Sequence, residues 1–237
     1  MAGECRASDR GPGRDDLARH HGTGRRGPVP AVATGRSPYG IAVDPTGRFA
    51  YVANIGDGTV SAFHIDAASG ALRPMAKPTV AAGSGSRDIA VAPSGRFAYV
   101  LNQGDQNILA YAIDPVPGAL APLATTPPST GSAPFSITVD PEGRFAHVAN
   151  LDSRNVSAYT LNASTGALAP TVTPTISTGN RPVSVAIEAS GKFAYVADNT
   201  DDNVSIYTID AASGVLGPQA APTVAAGQLP NRILLSR

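Results

Sequence analysis

Arg87 and Asp88 are neighbours in the sequence, and side chains of these two types could take part in catalysis. An arginine can hold an anionic substrate or stabilise a developing oxyanion, and a carboxylate can activate water. The alternative is a surface ion pair that is satisfied locally and adds little stability. We treat both as candidate catalytic residues because equivalent positions elsewhere in the chain hold apolar or small residues, namely Tyr39-Gly40, Phe135-Ser136 and Val183-Ser184.

His147 is a third candidate catalytic residue, because it stands where a tyrosine recurs at positions 51, 99 and 195. A histidine titrates near neutral pH and can act as acid or base. The more common outcome is a packed histidine with one hydrogen bond, and this alternative stays open. Three loop arginines, which could hold an anionic ligand, are candidate substrate-binding residues: Arg36, Arg154 and Arg181.

Loop carboxylates raise the question of a metal site, which we consider at Asp57, Asp105, Asp201 and Asp202. Calcium takes about six to eight oxygen ligands, and acids spaced one per repeat would lie far apart. We therefore expect solvated turn residues. Cys5 and His20-His21 lack chelating spacing, so we expect no metal and no cofactor. Gly-x-Ser-x-Gly, His-Glu-x-x-His and the phosphate-binding Gly-x-x-x-x-Gly-Lys motif do not occur in the sequence.

A repeat of 48 residues must position these side chains. The segment Gly-Arg-Phe-Ala-Tyr-Val at residues 47–52 recurs at 95–100, with close variants at 143–148 and 191–196. Pro30-Ala31-Val32-Ala33 matches Pro78-Thr79-Val80-Ala81, so the pattern begins near Pro30. We expect repeats over residues 30–237, as four full copies at about 35–82, 83–130, 131–178 and 179–226, and the first strand of a fifth at 227–237.

Each copy predicts four short strands. In the first copy, an apolar run at Tyr39–Val43 meets a Pro/Gly turn, and Arg48–Asn54 then alternates with period two. Thr59–Ile65 follows, and a last short strand begins near Ala71, where Pro74 restricts it to a sheet edge. Four strands per repeat predict an all-β propeller built of four-stranded antiparallel blades.

The repeat also carries a family resemblance. Phe-Ala-Tyr-Val-Ala-Asn (Phe49–Asn54), Val60-Ser61 and Ser69-Gly70-Ala71-Leu72 resemble the YVTN-type propeller repeat. With the preceding Asp-Pro-x-Gly-Arg turn, the chain resembles the lactonase β-propeller family, which includes 6-phosphogluconolactonase-like proteins. The resemblance implies hydrolysis of a sugar lactone. Because members are typically seven-bladed rings, it also implies either a segment of a longer array or a compact small ring.

Composition limits the partners. The 237 residues include 18 Lys plus Arg and 18 Asp plus Glu, and this balance argues against a nucleic-acid binder. No run approaches the roughly 18 apolar residues of a membrane span. Residues 1–29 are rich in Arg and Gly and predict a disordered tail. No apolar run follows Arg25-Arg26, so we expect a cytoplasmic protein, or an extracellular one if the N-terminus is truncated or misassigned.

Two function classes stay open at this level. The first is a lactone hydrolase, implied by the resemblance, with a small-molecule lactone as partner. The second is a non-catalytic propeller that presents its loop face to a protein or cell-surface ligand, or an inactive segment of a longer propeller. Fold alone does not choose between them. Open blade edges also predict self-association.

Overall fold

The 48-residue period returns in the computed structural model as four antiparallel sheets of four strands. The structure describes residues 31–235, and the expected tail (1–29), Cys5 and His20-His21 lie outside the described residues. Blade 1 contains β1 (Pro38–Val43), β2 (Phe49–Asn54), β3 (Thr59–Ile65) and β4 (Leu72–Ala81). Blade 2 contains β5 (Ser86–Val91), β6 (Phe97–Asn102), β7 (Asn107–Ile113) and β8 (Leu120–Pro122). Blade 3 contains β9 (Pro134–Val139), β10 (Phe145–Asn150), β11 (Asn155–Leu161) and β12 (Leu168–Ser177). Blade 4 contains β13 (Pro182–Ile187), β14 (Phe193–Asp198), β15 (Asn203–Ile209) and β16 (Leu216–Ala225).

In blades 1 and 3, an aspartate closes the turn between the first two strands. The Oδ1 atom of Asp44 accepts hydrogen bonds from the backbone N–H groups of Arg48 and Phe49, both at 2.7 Å. Asp140 does the same for Arg144 and Phe145 in blade 3. A carboxylate that accepts backbone N–H groups satisfies donors that a tight turn leaves unpaired.

The second strands of blades 1 to 3 pack on both faces, as the alternating sequence predicts. All six residues of β2 are buried. Phe49, Tyr51 and Ala53 join the apolar cluster shared with blade 2, while Ala50 and Val52 belong to a cluster on the opposite face. A sheet with two apolar faces must be covered on both sides, which is why the hydrophobic core lies between blades.

A recurring contact joins each blade to the next. The hydroxyl of Tyr51 donates to the carbonyl of Gly118 at 2.7 Å, and that of Tyr99 donates to the carbonyl of Gly166 at 3.1 Å. Gly118 has φ +69°, and a Cβ there would lie 2.5 Å from the ring of Phe49. The turn therefore requires glycine both for its left-handed backbone and for this close approach.

The sheets form an arc in which the first strands pack consecutively, β1 on β5, β5 on β9 and β9 on β13. Within residues 31–235, no comparable packing joins β13 back to β1. These sheets confirm the expected all-β propeller class. The fourth strand is an edge strand, as Pro74 indicated, but β4 is ten residues long rather than short, because a bulge opposite Ser61–Phe63 lets pairing resume beyond Pro74.

No helix of the length and apolar character that a membrane crossing needs is found in the described part of the chain.

Candidate functional site

The first strands of the blades and residues 231–235 line a cavity of about 660 Å³, which we call the channel. Its wall is formed by Tyr39-Gly40 of blade 1, Asp88-Ile89 of blade 2, residues 135–139 and Pro141 of blade 3, residues 183–187 and Ala189 of blade 4, and residues 231–235 beyond blade 4. A cavity of this volume lies within the range of small-molecule sites.

Arg87 does not enter this cavity as a free cation. Its guanidinium contacts two rings that meet edge to face, 4.2 Å from the ring centre of Tyr39 and 3.4 Å from that of Phe135. Its Nη1 atom donates to the side-chain oxygen of Gln103 at 3.3 Å. Burial lowers the pKa of Arg87, although an arginine still keeps its charge at neutral pH. The stacking holds three neighbouring blades together at the channel through cation–π contacts.

Asp88 lines the cavity. Its Oδ1 and Oδ2 atoms accept hydrogen bonds from the backbone N–H groups of Ile89 and Ile137, each at 3.0 Å. Burial raises the pKa of this carboxyl, and the two N–H donors, the charge of Arg232 and the hydroxyl of Ser136 oppose the rise. Each carboxylate oxygen keeps a further lone pair, so Asp88 can still accept a proton from a bound water.

The two neighbours are therefore separated, and the surface ion pair considered from the sequence is not formed. The ion pairs between residues 31 and 235 do not include Arg87 or Asp88. The pairing of β5 with β6 has a bulge between Ser86 and Asp88, and such a bulge changes the direction of a side chain such as that of Arg87. Gly40 allows the arrangement, since a Cβ there would lie 2.6 Å from the Cα of Asp88.

Arg232 is a cavity residue that the sequence analysis missed. It lies three repeats after Asp88 and occupies the same repeat position, which is the signal that could have found it. Its side chain belongs to the segment after β16 and is exposed. Arg232 is the one cationic side chain in the cavity wall, as far as the structure describes the chain.

His147 is fully buried on β10 and is not part of the cavity wall. Its Nε2 atom lies 3.0 Å from the carbonyl oxygen of Gly214, in the contact that tyrosines make in blades 1 and 2. Its Nδ1 atom is buried without a hydrogen-bond partner. Burial lowers its pKa, while the bond to Gly214 and the charge of Asp140 oppose this. The geometry is that of the packed histidine with one hydrogen bond.

The three loop arginines are not part of the cavity wall. The Nε atom of Arg36 donates to Asp57 Oδ1 at 2.6 Å, with the arginine side chain 80% exposed. Arg154 and Arg181 are exposed and have left-handed backbones, with φ 51° and 55°. The structure does not bring these arginines together with Asp88.

A comparison with known proteins gives the family. The sequence pattern of the family described as Lactonase, 7-bladed beta-propeller matches residues 6–230. The chain belongs to this lactonase family. Among curated proteins, no sequence matches it.

Solved structures share the fold of this lactonase-family chain at low sequence identity. A candidate 6-phosphogluconolactonase from Bacteroides uniformis has 17% identity and a TM-score of 0.72, over 81% of this chain and 55% of that one. The periplasmic gluconolactonase PpgL from Pseudomonas aeruginosa has 21% identity and a TM-score of 0.70, over 82% and 55%. A likeness at such identities shows the fold alone, and the chain spans about half the length of these structures.

The loop acids of this lactonase-family chain bind backbone rather than forming a cluster. Asp57, Asp105 and Asp201 each accept the N–H of a residue 21 positions earlier, in the loop that leads into the first strand. Asp202 accepts the N–H of Leu229 at 2.7 Å. Within residues 31–235 there is no group of three or more His, Cys, Asp or Glu side chains that could hold a metal.

Proposed function

We propose that this lactonase-family protein hydrolyses a lactone in the channel cavity, with Asp88 as the general base. The observation that carries the proposal is a carboxylate in the wall of a cavity of about 660 Å³, at a position where blades 1, 3 and 4 have Gly or Ser. Perturbed acids in a concave site are candidates for acid–base chemistry.

The reaction needs one water and one proton carrier. Asp88 removes a proton from water as the water oxygen bonds to the lactone carbonyl carbon. The ring C–O bond then breaks, and the protonated Asp88 returns the proton to the departing alkoxide oxygen. The product is the open-chain hydroxy acid, and the carboxylate is regenerated. Sugar lactones, including 6-phosphogluconolactone, are the substrates that the family implies.

A second candidate function is a non-catalytic propeller that binds a ligand through its loop face. It is favoured by the two hydrogen bonds that Asp88 accepts from backbone N–H groups, since a carboxylate bonded in this way can have a purely structural role. The two functions differ in whether the Asp88 charge is needed for turnover.

Hydrolysis of glucono-δ-lactone and of 6-phosphogluconolactone by the purified protein, followed by acid release above the spontaneous rate, tests the proposal. We expect Asp88→Asn to reduce kcat roughly 100-fold or more. Asp198→Asn is the matched control and leaves turnover unchanged, because Asp198 is a buried acid outside the cavity wall. Wild-type hydrolysis no faster than buffer, or undiminished hydrolysis by Asp88→Asn, contradicts the assignment.

The pH dependence gives a second test. The base must be ionised, so kcat/KM falls as pH drops through the pKa of Asp88. Because burial raises that pKa, the acid limb should lie above the usual aspartate range.

A further inference from the structure

The segment after β16 is attached differently from the strands whose repeat positions it shares. We call residues 227–235 the C-terminal strap. Ile233 corresponds to Ile89 and Ile137, and it packs beside Leu151, Val183 and Ala197. The strands β5 and β9, however, pair with the second strands of their own blades, whereas the strap belongs to none of the four sheets.

Side chains of blade 4 hold the strap in place. Asp202 Oδ1 accepts the N–H of Leu229 at 2.7 Å, Asn199 Nδ2 donates to the carbonyl of Pro230 at 3.1 Å, and Ser184 Oγ accepts the N–H of Ile233 at 3.1 Å. The last contact repeats the one between Asp88 and Ile137. A segment held by a few side-chain bonds has lower local stability than a strand paired within a blade.

The docked strap changes the charge of the cavity. Arg87 of β5 keeps its charge but lies against Tyr39 of β1 and is not part of the cavity wall, and Ser136 of β9 contributes a neutral hydroxyl. Arg232 is the cation that the strap adds to the wall. With the strap docked, the cavity holds one carboxylate and one guanidinium. With the strap released, the wall loses residues 231–235, and Asp88 is the charged side chain that remains in the lining.

We propose that Arg232 is a specificity-determining residue that binds an anionic substituent of the substrate, and that the strap delivers it to the cavity. The proposal rests on the proposed function in naming a lactone as the substrate. The substituent is a phosphate or a carboxylate, since a guanidinium binds both in the same bidentate manner. Docking of the strap is thereby coupled to the choice between anionic and neutral lactones.

The kinetic test compares glucono-δ-lactone with 6-phosphogluconolactone and a carboxylated sugar lactone. Arg232→Gln should reduce kcat/KM roughly tenfold for the anionic lactones, through KM, and leave the neutral one nearly unchanged. Arg232→Lys should restore part of the loss. The phosphate and carboxylate arms distinguish the two substituents, and equal losses on neutral and anionic lactones overturn the proposal.

A matched pair of variants tests delivery by the strap. Asp202 has a left-handed backbone with φ 53°, so Asp202→Gly removes the bond to Leu229 without straining the turn. Gln106→Gly changes the same repeat position of blade 2, which does not touch the strap. We expect Asp202→Gly to reproduce the substrate preference of Arg232→Gln and to speed amide hydrogen exchange in the strap. Gln106→Gly should do neither, and an unchanged preference in Asp202→Gly overturns delivery by the strap.

A readout without turnover separates this proposal from the proposed function. Loss of a neighbouring cation raises a carboxyl pKa, so carboxyl NMR titration should show a higher pKa for Asp88 in Arg232→Gln and Asp202→Gly than in wild type. Binding of inorganic phosphate should weaken in the same two variants. If wild type hydrolyses no lactone but these shifts occur, the proposed function fails and the placement of Arg232 stands. Identical titration and phosphate binding in wild type and Arg232→Gln overturn the placement.

Discussion

The interfaces between blades and the wall of the channel are built from the same repeat. The interfaces make the same contact in successive blades, whereas the residues of the channel wall differ from blade to blade. At the interfaces, Tyr51 and Tyr99 make the same hydrogen bond to a glycine carbonyl in successive blades. In the channel wall, one repeat position holds glycine, aspartate, serine, serine and arginine in turn. Packing tolerates little variation because each face must fit its neighbour.

The difference shows where information about function lies in a repeat protein. His147 departs from the repeat but keeps the contact to a glycine carbonyl, so its departure is absorbed by packing. Asp88 departs from the repeat at a place where no packing contact demands an acid. A residue that differs from the repeat therefore indicates a function only where its packing and hydrogen bonds do not explain the difference.

The largest expected effect on stability comes from removing a large apolar side chain at an interface between blades. Phe97→Ala should lower the free energy of unfolding by about 3–5 kcal/mol, because Phe97 is buried against the glycine turn of blade 3. The control is Phe193→Ala, since Phe193 occupies the same position on blade 4 and is only half-buried. Its cost should be about 1–2 kcal/mol. Urea unfolding measures both variants, and equal losses in the free energy of unfolding would contradict the difference in burial between Phe97 and Phe193.

Two glycines with similar backbones allow the close contact between a glycine turn and the neighbouring blade to be tested separately from backbone strain. Gly118 and Gly70 share a left-handed backbone, with φ +69° and +74°. A Cβ at Gly118 meets Phe49, whereas nothing lies within 4 Å of one at Gly70. We expect Gly70→Ala to cost about 1 kcal/mol from backbone strain alone, and Gly118→Ala about 1–3 kcal/mol more from overpacking. Thermal unfolding of the two variants measures the difference, and a Gly70→Ala cost as large as that of Gly118→Ala would refute the packing explanation.

Restoring the repeat at His147 should have a smaller effect of opposite sign. His147→Tyr removes a buried nitrogen without a partner and should stabilise the fold by about 1 kcal/mol at pH 7. Burial lowers the histidine pKa in the folded protein, so below about pH 6.5 only the unfolded chain gains the proton. Wild type should therefore lose stability as pH falls through that value, and the variant should lose less. Denaturant unfolding between pH 5 and pH 8 measures this, and parallel pH profiles would show that His147 is not the group responsible.

Much of this architecture could be predicted from the sequence. The period and the alternation placed β3 at its observed bounds and put Phe49 and Tyr51 on one face. The environment of Arg87 could not be predicted in the same way. Its stack depends on how the side chains of Tyr39 and Phe135, which are 96 residues apart, meet across three blades. Arg232 was missed because the fifth copy was considered only as a strand and not aligned position by position.

The weakest expected effect concerns the uncovered face of blade 4. Phe193, Tyr195, Val204 and Ile206 are half-buried, whereas their counterparts in blades 1 to 3 are covered by the next blade. We expect this face to drive weak, concentration-dependent self-association. Sedimentation should show Phe193→Lys to be monomeric at concentrations where wild type associates, while Val172→Lys, at a 90% exposed site elsewhere, behaves as wild type. A wild-type protein that stays monomeric at all concentrations contradicts this expectation.

The central claim is that the acid in the channel serves chemistry and the other departures serve packing. Lactone hydrolysis by three variants that each restore the repeat tests this most directly: Asp88→Ser, His147→Tyr and Asp198→Asn. Serine at position 88 can still accept the N–H of Ile137, as Ser184 accepts that of Ile233, so the fold should be kept. We predict that Asp88→Ser folds and loses hydrolysis while the other two retain it. Full hydrolysis by a folded Asp88→Ser protein would contradict the claim.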